Sequence, residues 1–169
     1  MIDIKEIIRQ LTANAAAMRA LVQTISDEQA QWKPNPDTWS MTEVWSHVYN
    51  EEKGDFRAHI HEILSDPPQP WGALQPPWTP VADYRKALEG FLTEREASIS
   101  WLKLLDKPDW SATARAQFGP SEVLVLSAGD VLVSWVEHDI LHMRQMVELL
   151  HAWNVKQASP YSVQYAGGW

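Results

Sequence analysis

Asp130-Val-Leu-Val-Ser-Trp-Val-Glu-His-Asp-Ile-Leu-His-Met-Arg-Gln-Met-Val-Glu-Leu-Leu-His-Ala-Trp153 repeats its large residues at the period of an α-helix. Val131, Trp135, His138, His142, Met146, Leu149 and Trp153 follow one another at intervals of three or four and form a single stripe. Two of these stripe positions are histidines four residues apart, which places their rings one turn apart on one face, roughly 6 Å along the axis. A buried imidazole needs a partner for each ring nitrogen, and two imidazoles in one core stripe are served economically by a shared metal ion.

Working outward, three further amphipathic patterns precede this one. Residues 3–25 carry Ile4, Ile7, Ile8, Leu11, Ala15, Met18, Leu21, Val22 and Ile25 in helical register. Residues 27–35 hold Trp32 and stop at Pro34 and Pro36. The spacing then predicts a helix over 41–64, announced by Ser40 three residues before Glu43, a capping-box pattern. Its stripe of Val44, Trp45, Val48, Phe56, Ile60 and Ile63 is broken in the middle by His47, Glu51 and Glu52, much as the C-terminal stripe is broken by its two histidines. A helix over 81–105 (Tyr84, Leu88, Phe91, Leu92, Arg95, Ile99, Leu102, Leu105) contains no histidine and reads as scaffold. The final helix is expected to begin after Gly129-Asp130 and to end near Trp153.

The connections differ in character. Residues 66–80 hold six prolines and two tryptophans. Proline forbids helix there, and the length fits a crossover along the bundle, either a rigid connector or a gate for substrate. Residues 106–127 contain Gly119 and Pro120, and an apolar run, Val123-Leu-Val-Leu126, which reads as a strand or an extra helical piece. The tail, 154–169, is too aromatic for a disordered end and is expected to pack on the bundle or on a neighbouring subunit. Four long helices with no βαβ alternation predict an all-α, four-helix bundle occupying residues 1–169 as one domain.

Composition narrows the function. The 169 residues carry a formal charge of −8, with Lys and Arg scattered, which argues against nucleic acid and anionic membrane as partners. The N-terminal Met-Ile-Asp-Ile-Lys-Glu lacks the form of a signal peptide and no long apolar run occurs, so a cytoplasmic location is expected. There is no cysteine, which excludes disulfides, a thiolate nucleophile and thiolate metal ligands. The ten tryptophans stand out against three Phe and four Tyr. Those in loops (Trp71, Trp78, Trp110, Trp169) could wall a cleft or cover an interface.

His47, His138 and His142 therefore make the candidate metal site: three neutral imidazoles with a position left for water or substrate, suited to Zn²⁺ or Ni²⁺. Glu51, one turn from His47, is the candidate catalytic base, with ligation or hydrogen bonding to a ligand ring as its other roles. Glu137 and Asp139 flank His138 and point elsewhere, so support of a ligand ring is the most either could contribute. His59, His61 and His151 read as surface or helix-end residues. His138-Asp-Ile-Leu-His142 departs from the zincin pattern in having Asp where the general-base Glu stands, and only Glu148-Leu-Leu-His151 has the spacing of a di-iron carboxylate motif. No Gly-rich phosphate loop is present.

Trp39-Ser40 followed by His47, and later Glu137-His-Asp-x-x-His-x-Arg-Gln145, resemble the DinB/YfiT-like superfamily across essentially the whole chain. The resemblance implies an up-up-down-down bundle, often a homodimer, with His47, His138 and His142 as the metal triad in a cleft at one end. It implies a metal-dependent hydrolase, or a transferase using a low-molecular-weight thiol such as bacillithiol or mycothiol, on a small-molecule substrate. A non-enzymatic bundle with a structural or stress-related metal is the alternative.

Overall fold

Most of the helices start on a side-chain oxygen that takes up a backbone N–H the first turn would otherwise leave unpaired. In the computed structural model, which describes residues 3–118 and 122–169, Asp3 caps α1 (Ile4–Leu21) and Ser26 caps the short α2 (Asp27–Gln31). Ser40 caps α3 (Met41–Gly54) in a complete capping box. The chain turns at Asp55 into α4 (Phe56–Leu64), and Asp83 caps α5 (Tyr84–Leu104). A hairpin of β1 (Thr113–Phe118) and β2 (Glu122–Ser127) leads into α6 (Ala128–Ala158). The helix expected over 41–64 is thus two pieces. The break falls at Gly54, where Pro76 of the linker lies so close that a Cβ would come within 2.6 Å of its Cδ.

The last helix is longer than its stripe predicts. Ser127 and Asp130 form a reciprocal capping box, so the helix begins two residues before Asp130 and runs five past Trp153. The apolar run 123–126 is a strand, antiparallel to β1 with Ala116 opposite Leu124. Its β-branched residues suit an extended, half-covered surface, and the ladder continues into α6 through Ala128 N–H donating to Ala112 O at 2.9 Å. Gly119 and Pro120 of that connection, and Met1-Ile2 of the N-terminus, lie outside the described residues.

Two apolar cores fill the bundle. One gathers Met18, Val22, Met41, Trp45, Phe91 and Met146; the other gathers Leu11, Phe56, Ile60, Leu102, Leu132 and Trp135. Their membership fixes the helix directions. The end of α1, the starts of α3 and α5 and the later half of α6 share the first core, while the start of α6 shares the second with Leu11. The bundle is the expected one, but its long helices run up, down, down, up, where the resemblance implied up-up-down-down. The reason is the linker. It retraces α3 and α4, with Gly72 and Leu74 N–H donating to Glu62 at 2.9 and 2.6 Å, Thr79 N–H to Asn50 at 3.0 Å and Val81 N–H to Ser46 at 2.8 Å. That return brings α5 to start beside the start of α3 and run parallel to it.

Between the two cores lies a polar layer. On α3 it holds Asn50, Glu51 and Glu52, on α5 Arg95 and Ser98, on α6 His138, Asp139 and His142. The breaks in the apolar stripes therefore coincide in space. No helix among the described residues is long and apolar enough to cross a membrane.

Candidate metal centre

The three stripe histidines meet at this layer. His47 comes from α3, which Ser40 caps and whose Val44, Trp45 and Val48 are buried in the first core. His138 and His142 come from α6 one turn apart. His47 Nε2 lies 3.2 Å from His138 Nε2, and His142 Nε2 lies 3.1 Å from the same atom. Donors held at 2.0–2.1 Å around one tetrahedral ion stand roughly 3.3 Å apart. Two edges match that spacing, and the three donor atoms all lie within 4.8 Å of one another.

The protonation chemistry matches as well. His142 Nδ1 donates to Gln145 Oε1 at 2.9 Å, so its Nε2 presents a lone pair to the cluster. Burial, with the charge of His142 second, pushes His47 down to about 4. Burial followed by its two histidine neighbours and Arg95 pushes His138 down to about 3. Burial also lowers His142, opposed by the bond to Gln145. Three neutral rings whose Nε2 atoms converge cannot all satisfy one another, and a cation is the partner that suits all of them at once.

Glu51 stands beside the site without bonding to it. Its Oε1 is 3.7 Å from His47 Nδ1, beyond hydrogen-bond reach. Burial, then the charge and hydrogen bond of Asp55, raise its carboxyl to about 7. Trp39, half exposed, covers the histidines from outside: its ring is stacked parallel to His142 at 6.4 Å and tilted to His47 at 5.1 Å. It lines two hollows. One of about 460 Å³ reaches His142, Gln145 and Glu148. The other, about 530 Å³, reaches His47, Lys33 and Trp78, so one of the loop tryptophans does wall a cleft.

Other expectations are corrected. His59 is not at the surface: it is 2 % exposed, its Nδ1 lies 2.7 Å from Glu62, and Trp71 stacks on it at 3.7 Å. It pairs with Glu62 of α4 and lies 3.6 Å from Asp55, partners that the sequence signals at intervals of three and four. His151 is half-buried under Trp169, the stacked rings 4.1 Å apart, which is how the tail meets α6. Asp139 points inward to Arg95, and helix α5, read as scaffold, supplies that buried cation. Nothing in helical periodicity marks Arg95 as more than a misplaced polar residue.

The family model of the DinB superfamily matches residues 10–146. No curated protein matches the chain. Among solved structures, YfiT from Bacillus subtilis, described as a probable metal-dependent hydrolase with an unusual four-helix bundle topology, superposes with a TM-score of 0.73. The match covers 91% of each chain at 16% sequence identity, a likeness of fold. With the family model matching most of the chain, this protein belongs to the DinB superfamily.

Proposed function

We propose that this protein is a divalent-metal-dependent enzyme in which His47, His138 and His142 hold a Zn²⁺ or Ni²⁺ ion that activates a small nucleophile against a small-molecule electrophile. The observation that carries the reading is the convergence of three Nε2 atoms at 3.1 and 3.2 Å. Held by these three rings, such an ion would lower the pKa of a water or thiol into the neutral range. The chain's own residues do the rest. Gln145 holds the His142 ring in the ligating tautomer, Trp39 shields the site from bulk water, and Glu51 exchanges a proton with the reacting group.

Water is the favoured nucleophile, in keeping with the description of YfiT as a probable metal-dependent hydrolase; a low-molecular-weight thiol is the second candidate. In this reading the enzyme works in the cytoplasm as a homodimer. Metal content by plasma mass spectrometry tests the site. About one equivalent is expected in the wild type and none in His47→Ala or His138→Ala, with the melting temperature of wild type alone falling on chelation. No uptake by the wild type overturns the proposal. Turnover of ester or amide substrates without added thiol assigns the hydrolase, and turnover only with thiol assigns the transferase.

A further inference from the structure

Arg95 enters the polar layer from α5, which carries none of the three histidines. Its Nη1 donates to Asp139 Oδ2 at 2.7 Å and to Leu11 O at 3.0 Å, and its Nη2 to Asp139 Oδ1 and Glu52 Oε2, each at 2.8 Å. One planar fork therefore bonds to α1, α3 and α6 from α5, the geometry for which guanidinium is suited and ammonium is not. Trp135 Nε1 donates to the same Glu52 oxygen at 2.8 Å, and the guanidinium lies 4.8 Å from the Phe91 ring centre. All three charged residues are buried.

The placement of the carboxylates is the informative part. Asp139 stands between the two ligand histidines of α6, and Glu52 stands five residues after His47 on α3. The cluster thus clamps the two histidine-bearing helices to each other beside the point where their imidazoles meet. It is a costly way to fill a core. Glu52 Oε1 and Arg95 Nε have no protein partner, and apolar residues of similar volume commonly serve stability as well as a buried ion pair or better.

We propose that Arg95 is a positioning residue for the metal centre. Through Glu52 and Asp139 it sets the separation of α3 from α6, and with it the distance from His47 Nε2 to the His138–His142 pair. The inference rests on the metal-binding reading above.

The test compares wild type with Arg95→Met/Glu52→Gln/Asp139→Asn, which removes every charge of the cluster while keeping its shape and all three histidines. Helical circular dichroism and the urea midpoint report folding, Zn²⁺ titration reports affinity, and the visible absorption of bound Co²⁺ reports ligand geometry. The expected result is a folded variant with affinity reduced about tenfold or more and a Co²⁺ spectrum shifted from that of wild type. A folded variant with wild-type affinity and spectrum overturns the inference and leaves the proposed function standing. Wild type that binds no metal overturns both. If the triple variant does not fold, Arg95→Lys, which keeps the charge and loses the fork, is read by the same titration: weakened binding supports the clamp and wild-type binding refutes it.

Discussion

Gly90→Ala probes how closely α5 lies against the helix that carries His47. Gly90 sits inside α5, and a Cβ built there would come within 2.6 Å of Tyr49 Cε2 and 2.8 Å of Cζ. Two effects oppose each other. Alanine favours a helix interior over glycine by about 1 kcal/mol. The added methyl must displace the Tyr49 ring or spread the helices, an overpacking that costs roughly 1–3 kcal/mol. The net expectation is a loss of about 1 kcal/mol, seen as a fall of about 2–4 °C in melting temperature for a chain of this size. In a Tyr49→Ala background the obstacle is gone and only the helix term remains, so the same substitution should raise the melting temperature by about as much. The double-mutant cycle, run by urea unfolding, should give a coupling of roughly 1–3 kcal/mol. If Gly90→Ala stabilises both backgrounds equally, the close approach of α5 to Tyr49 is not what keeps glycine there.

Two further perturbations read out α4 and the start of α3. Burial opposes charge on His59, but its bonds to Asp55 and Glu62 outweigh that and raise its pKa above the ordinary value. Its stabilising contribution is therefore full below the unfolded-state pKa of about 6.5 and lost as pH rises through the folded one; urea midpoints of wild type should fall as the pH is raised above that unfolded-state value, and a His59→Gln variant should lack that decline. Ser40→Ala removes the oxygen that accepts from Glu43 N–H at 3.2 Å and should cost about 1 kcal/mol, with Ser40→Thr restoring most of the loss.

Much of the site was legible because helical periodicity is a local property. Positions 138 and 142 must share a face of any helix that contains both, and the interruption of an apolar stripe by His47, Glu51 and Glu52 is visible without coordinates. The Ser40 and Ser127 caps are local signals too, and Ser127 with Asp130 starts α6 three residues ahead of the position that Gly129-Asp130 suggests. Pattern reading ran out where a residue's environment comes from a distant segment. His59 looked like a surface histidine because the Trp71 that covers it sits in a linker with no periodicity. Val123–Leu126 could be taken as strand or helix, since a short apolar run has no period of its own and only its partner β1 decides.

The amino-acid sequence determined by itself the four amphipathic helices, the bundle they must form and the three imidazoles facing its interior, because burying a stripe requires only residues one turn apart. Tertiary structure alone decided that the helices run up, down, down, up, that Arg95 joins Glu52 to Asp139, and that His47 Nε2 stops 3.2 Å from a histidine 91 residues away. Those outcomes depend on how rigid helices settle against one another under packing and charge. No spacing along one helix encodes the distance to the next.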